Sequence, residues 1–227
     1  VTPKAPGHFL FEAAAIDLDY LQTDDFISRS ASLRGSVMIM GPLLTRYQRI
    51  VLPRPGGDKI GRRRLDTHFR GLEKLGARFE YNPEGHFYEI DRKQLRGCYI
   101  LLDEASVTGT ANILMAAVKA DGLTTIYNAA CEPYIQQLCL MLTAMGAQID
   151  GIGSNLLRIQ GVKELKGTTH MLLPDMIEIG SFIGLAAMTQ SEITIKQAAP
   201  QHLGMIPDAF RRLGIQIFIN GDDIVVP

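Results

Sequence analysis

Between Arg49 and Arg64 the chain places six cations, Arg49, Arg54, Lys59, Arg62, Arg63 and Arg64, and a single acid, Asp58, around the turn PRPGGDKIG. Pro53 and Pro55 stiffen the approach, Gly56 and Gly57 permit backbone geometry closed to other residues, and planar guanidinium forks suit bidentate pairing with phosphate or carboxylate. The chemistry this predicts is anion binding, with one carboxyl group placed to carry a proton. Two plainer readings compete with it. Arginine clusters are commonly solvated faces, and aspartate beside glycine is commonly a turn residue. Where the cluster falls among the elements decides between them.

The chain has 227 residues, 46% of them hydrophobic and 21% charged, enough to bury a core as one large or two small domains. Its formal net charge is −1, so the basic cluster reads as a local site and a general affinity for nucleic acid is not expected. Cys98, Cys131 and Cys139 are odd in number and lack metal-ligand spacing, which fits buried thiols in a reducing cytoplasm. The five histidines, at 8, 68, 86, 170 and 202, also lack ligand spacing; His68 lies one helical turn beyond Arg64, within reach of lining the site, and is read in preference as a surface or capping residue. No apolar run approaches bilayer length, and no membrane partner is expected. Met38, Met40, Met115, Met141 and Met145 read as core packing.

A repeat organises the rest. The segments GLEKLGARFE, LMLTAMGAQID and AFRRLGIQIF each close an apolar helical pattern with a glycine and then switch to strand alternation. Their glycines, Gly76, Gly146 and Gly214, are 70 and 68 residues apart, a period that implies a whole supersecondary unit. In the clearest copy the pattern predicts a strand over 99–103, a helix over 108–120, a strand over 124–129, a helix over 132–145 and a closing hairpin. The unit is βαβαββ, and the fold class is α/β. The third copy predicts a strand at HMLL (170–173), a helix over 177–189, a strand over 192–198, a helix over 203–213 and strands over 215–220 and 222–226. In the first copy, SASLRGSVMIMGPLL holds the first-helix position, RIVLP the middle strand and RRLDTHFRGLEKL the second helix.

The cationic turn therefore lies between a strand and a helix N-terminus, where unpaired backbone N–H groups add to the arginines. Ser106 and Thr108, ahead of the apolar run that follows them, are capping candidates compatible with a phosphate or sugar at the same turn. Residues 1–20 read as the tail of an earlier copy, and the chain, which begins at Val1, is expected to be a partial one.

The order βαβαββ, with the stretches LRGSVMIMGPLLTR, LPRPGGDKIGRRRLDTH and DEASVTGTANILMAAV, resembles the UDP-N-acetylglucosamine 1-carboxyvinyltransferases, enolpyruvyl transferases of bacterial peptidoglycan synthesis, over essentially the whole chain. The resemblance implies an inside-out α/β barrel of six units, three per domain, with substrates between the domains. Residues 1–173 would hold the last two units of one domain and 174–227 the first unit of the other. It implies phosphoenolpyruvate and UDP-N-acetylglucosamine as partners, no cofactor, and a cytoplasmic role in wall growth, cell shape and division. Asp58 falls where most members carry a lid-loop cysteine and some an aspartate, the proton donor. Arg34 and Arg63 fall on arginines that meet the substrate anions. Arg64, Leu65, Asp66 and Thr67 match the uridine-binding segment, although members often have proline at Arg64. Glu104, Ala105, Ser106 and Val107 match the second nucleotide-binding turn, where some members have lysine in place of Glu104. Glu132 and Asp175 match accessory acids near the reacting sugar.

The chemistry implied is protonation of the methylene carbon of phosphoenolpyruvate, attack by the sugar 3-hydroxyl and loss of phosphate, which needs an acid, a base and anion clamps. A carboxyl of ordinary pKa about 3.9 is ionised at pH 7, and holding it half protonated costs roughly 4 kcal/mol. The substrate is expected to supply this by neutralising Arg63 and its neighbours while Asp58 is desolvated. Two alternatives stay open: a transferase like 5-enolpyruvylshikimate-3-phosphate synthase, against which PGGDKIGRRRLD argues, and a nucleotide-sugar-binding half without turnover. A unit separated from its domain partners exposes helix faces, so self-association of the chain is also expected.

Overall fold

A computed structural model describes residues 1–57 and 64–227. Asp58 and Arg63 lie outside the described residues. The first strands, β1 (Thr2–Ala5) and β2 (His8–Leu10), form an exposed hairpin. Helix α1 (Asp24–Ser32) follows, with Thr23 as its N-cap accepting from Phe26 N and with Asp24 and Asp25 in the positive first turn.

The first-helix position is broken rather than continuous. Leu33 is extended (φ −127°, ψ 112°), a 3-10 helix spans Arg34–Ile39, and α2 (Met40–Arg46) completes the segment. The break has a visible cause: the carbonyls of Ser30 and Ala31 accept from Gly56 N and Gly57 N, both at 3.0 Å, instead of propagating α1. A Cβ on Gly56 would stand 1.6 Å from the Ala31 oxygen, so only glycine allows this approach.

Strand β3 (Arg49–Pro53) falls where the alternation places it. Helix α3 (Asp66–Leu75), β4 (Ala77–Asn82) and β5 (Phe87–Arg92) follow, and the antiparallel sheet has the order β3-β5-β4. The second copy is complete: β6 (Tyr99–Leu101), α4 (Val107–Ala117), β7 (Leu123–Tyr127), α5 (Pro133–Ala144), β8 (Gln148–Asp150) and β9 (Leu156–Gln160). Its sheet runs β6-β7-β9-β8, with β6 and β7 parallel and the other pairs antiparallel. In the first copy the 3-10 turn Tyr20–Gln22 packs against β3, the place that β6 takes beside β7.

The third copy contains α6 (Met176–Thr189), β10 (Ile193–Ile195), α7 (Ile206–Arg212), β11 (Phe218–Asn220) and β12 (Asp223–Val226), in a sheet ordered β10-β12-β11. The strand expected at HMLL is absent. Residues 170–173 are irregular, Leu173 N donates to Gln137 Oε1 at 3.1 Å, and Met171 and Leu172 are exposed, so among the described residues β10 pairs on one side only, with β12. The three repeat glycines all adopt the left-handed conformation that ends a helix (φ 111°, 107° and 85°).

Helix α4 is the centre of the first two copies. Nearly every residue from Gly109 to Ala117 is buried, and α2, α3 and α5 pack around it. One apolar core draws on residues from Leu21 to Ile159, while a second draws on residues from Ile179 to Val226. Of the methionines, Met40 is buried and Met38, Met115 and Met145 pack against the larger core. The thiol expectation holds for one residue: Cys139 is buried, its pKa pushed up to about 11 by that burial, whereas Cys98 is half-buried and Cys131 exposed. Among the described residues no helix is long and apolar enough to cross a membrane, and no group of three metal-ligating side chains gathers.

Candidate active site

The pinned end of the cationic turn brings Gly57 against the Arg34 backbone, where a Cβ would lie 2.9 Å from Arg34 N. On the far side of that segment, the Arg64 carbonyl accepts from Arg34 Nη2 at 3.0 Å. Both ends of the segment that carries Asp58 and Arg63 thus meet at Arg34. The sequence alone offered no link between the start of a 3-10 helix and a loop thirty residues on.

From Arg64 the site continues along the seam between α3 and α4. Arg64 pairs with Asp66 in the first turn of α3, a favourable place for a carboxylate beside the helix dipole. Thr67 Oγ1 donates to Asp103 Oδ1 at 2.9 Å and lies 3.3 Å from Glu104 Oε1. Arg70 pairs with Asp103 Oδ2 at 3.0 Å. The Thr67 hydrogen bond, ahead of the nearby Arg70 and Arg64 charges, holds the Asp103 carboxyl below its ordinary range. Ser106 caps α4 through Gly109 N, at 3.1 Å. Arg34, Arg64, Asp66, Thr67, Glu104, Ala105, Ser106 and Val107 therefore converge, although three separate stretches supply them.

Some expected residues serve differently. Leu65 is buried in the core, so its side chain supports the start of α3. Arg49, one of the six cations, is spent on Glu89 across the β3–β5 pair, at 2.7 Å. Glu132 stands at the N-cap position of α5, with Oε2 buried and lacking a hydrogen-bond partner among the described residues. Asp175 caps α6 by accepting from Ile177 N at 2.8 Å and also accepts from Tyr134 Oη at 2.9 Å. The tyrosine bond, then the backbone bonds, keep the Asp175 carboxyl below its usual range.

His68 corrects the reading of it as a surface or capping residue. It is only 3% exposed, wedged between α3 and α4, with Nδ1 3.1 Å from Asn112 Nδ2 and Nε2 3.2 Å from Thr108 Oγ1. Burial, then the Arg34 charge, lowers its pKa to about 4, so the ring is neutral at pH 7. Asn112 was missed altogether. It is fully buried, accepts from Gly41 N at 2.6 Å and donates to Val37 O at 2.9 Å, tying α4 to the segment that follows Arg34. The available signal was an asparagine inside an otherwise apolar helical run, a position that demands buried partners.

An α/β chain of βαβαββ units with a cation-lined seam matches enolpyruvyl transferases in architecture. The enolpyruvyl transferase NikO from Streptomyces tendae aligns with 90% of this chain and 48% of its own, with a TM-score of 0.74 and 17% identity. EPSP synthase from Acinetobacter baumannii aligns with 86% of this chain and 48% of its own, with a TM-score of 0.61 and 20% identity. The model of the family EPSP synthase (3-phosphoshikimate 1-carboxyvinyltransferase) matches residues 21–226, and the chain belongs to that family. Within it, UDP-N-acetylglucosamine 1-carboxyvinyltransferase of Bacteroides fragilis is 63% identical over 219 residues, 96% of this chain and 50% of the relative. The enzyme of that name from Porphyromonas gingivalis is 59% identical over 218 residues, again 96% and 50%. The chain spans about half the length of these curated relatives.

Proposed function

We propose that this chain forms the nucleotide-sugar and anion-binding half of a UDP-N-acetylglucosamine 1-carboxyvinyltransferase, which transfers the enolpyruvyl group of phosphoenolpyruvate to the sugar 3-hydroxyl and releases phosphate. The observation that carries this reading is the convergence of Arg34, Arg64, Asp66, Thr67, Glu104 and Ser106 on one seam. The relatives' names supply the substrate, and the identity of 59–63% to them outweighs the 20% to an EPSP synthase structure. In this assignment Arg34 and Arg63 clamp substrate anions, and Arg64 to Thr67 with Glu104 to Val107 hold the nucleotide. Glu132 and Asp175 serve as accessory acids near the sugar. Asp58 delivers a proton to the methylene carbon of phosphoenolpyruvate once the substrate's own charges offset the surrounding arginines. No cofactor takes part.

The division at residue 173 belongs to the same proposal: the separate core over residues 179–226 supports a second domain that begins near 174. The setting is the reducing cytoplasm, in wall synthesis that serves cell shape and division. A protein that joins this chain to the remaining half of its relatives' length is expected to release phosphate from phosphoenolpyruvate only with UDP-N-acetylglucosamine. Its Asp58→Asn variant should turn over at least about 100-fold more slowly. Unchanged turnover in that variant would remove Asp58 from the reaction, and release driven by shikimate 3-phosphate would favour the alternative transferase. Calorimetry on the chain by itself should find nucleotide-sugar binding without phosphate release.

A further inference from the structure

The polarity of one buried hydrogen-bond chain is fixed by the backbone. Gly41 N–H is a donor and nothing else, so the Asn112 atom facing it at 2.6 Å is the carbonyl oxygen. That sets Asn112 Nδ2 as the donor to both Val37 O, at 2.9 Å, and His68 Nδ1, at 3.1 Å. A ring nitrogen that accepts carries no proton. The single proton of the neutral imidazole therefore sits on Nε2 and is donated to Thr108 Oγ1 at 3.2 Å. Thr108 is exposed, its hydroxyl makes no other hydrogen bond among the described residues, and its own proton is left to face outward. The relay starts at two backbone groups just beyond Arg34, crosses two helices and ends on a side chain in the first turn of α4.

We infer that His68 is a positioning residue that holds Thr108 as a hydrogen-bond donor to a phosphate oxygen of the nucleotide diphosphate. The assignment rests on the nucleotide-sugar reading of the seam. A hydroxyl that could rotate freely would offer either a lone pair or a proton. With one of its two lone pairs taken by the His68 Nε2–H, the Thr108 hydroxyl turns its proton away from the ring, and the partner that proton suits is an acceptor. The Arg34 cation, near enough to act on the His68 ring, favours an acceptor that carries negative charge over a neutral carbonyl. The neighbouring acids of the seam, Asp103 and Glu104, both face the Thr67 hydroxyl.

Calorimetry with UDP and with uridine on the chain and on its Thr108→Val and Thr108→Ser variants tests this. Thr108→Val replaces the hydroxyl with a methyl group of similar size and leaves the His68 Nε2–H unpaired, so a thermal melt accompanies each titration and Thr108→Ser, which keeps the hydroxyl, is the folded control. The expected result is UDP binding weakened about 10- to 100-fold in Thr108→Val, unchanged uridine binding, and affinity close to the parent in Thr108→Ser. Nitrogen-15 spectra of His68 should show the Nε2–H form at pH 7 in the absence of any ligand. UDP binding unaltered in Thr108→Val, or a proton on Nδ1, overturns the inference. If the parent binds neither UDP nor uridine, the nucleotide reading fails and takes the ligand assigned to Thr108 with it, whereas the tautomer measurement still reports on the relay separately.

Discussion

His68 shows how a residue's type understates its role. An unfolded histidine titrates near 6.5, and the buried ring titrates at about 4. Between those values the unfolded chain binds a proton that the folded chain refuses, so stability falls as the pH drops from 6.5 towards 4. The loss approaches roughly 3 kcal/mol at the lower end. Urea unfolding measured across that window should show the slope, and His68→Gln, which keeps a donor towards Thr108, should flatten it. An equal slope in both proteins would place the sensitivity elsewhere. The carboxyls held below their ordinary range, Asp103 and Asp175, lose their contribution at still lower pH, which separates them from the histidine. The Ser106 cap was legible from residue type and spacing. The tautomer of His68 was not, because it depends on Asn112, a residue 44 positions away.

At the scale of elements, the helix and strand order followed from periodicity, and β3 falls on RIVLP as expected. The failures share a cause. The break at Leu33 and the missing strand at 170–173 are both decided by hydrogen-bond partners from distant segments, Gly56 and Gly57 in one case and Gln137 in the other. Close helix packing is a further element-level property. A Cβ on Gly41 would lie 2.3 Å from the Asn112 backbone oxygen, so α2 rests directly on α4. Helix propensity alone would make Gly41→Ala stabilising by up to about 1 kcal/mol, whereas the packing predicts a loss of about 3 kcal/mol. The sign of the change in denaturant midpoint decides, and a gain in stability would show that α2 has room to move.

The whole molecule holds two apolar cores of unequal size. Around the smaller one, Ile177, Leu185, Met188, Leu213 and Phe218 are each more than half exposed, a concentration of apolar surface that a solitary soluble unit rarely presents. The chain should therefore self-associate as its concentration rises, and Leu185→Gln with Met188→Gln should reverse this. Sedimentation at several concentrations would check it; a monomer throughout would mean that the exposed face is tolerated.

The sequence by itself determined the repeat, the α/β class, the strand-loop-helix setting of the cations and the residue types available for anion chemistry, because these depend on local periodicity and turn stereochemistry. Only the tertiary structure decided that Arg34 receives both ends of the cationic turn, that Arg49 is spent on Glu89 and that His68 is buried and neutral. Those outcomes depend on which groups meet across tens of residues, and the charge and protonation of a side chain are properties of that meeting.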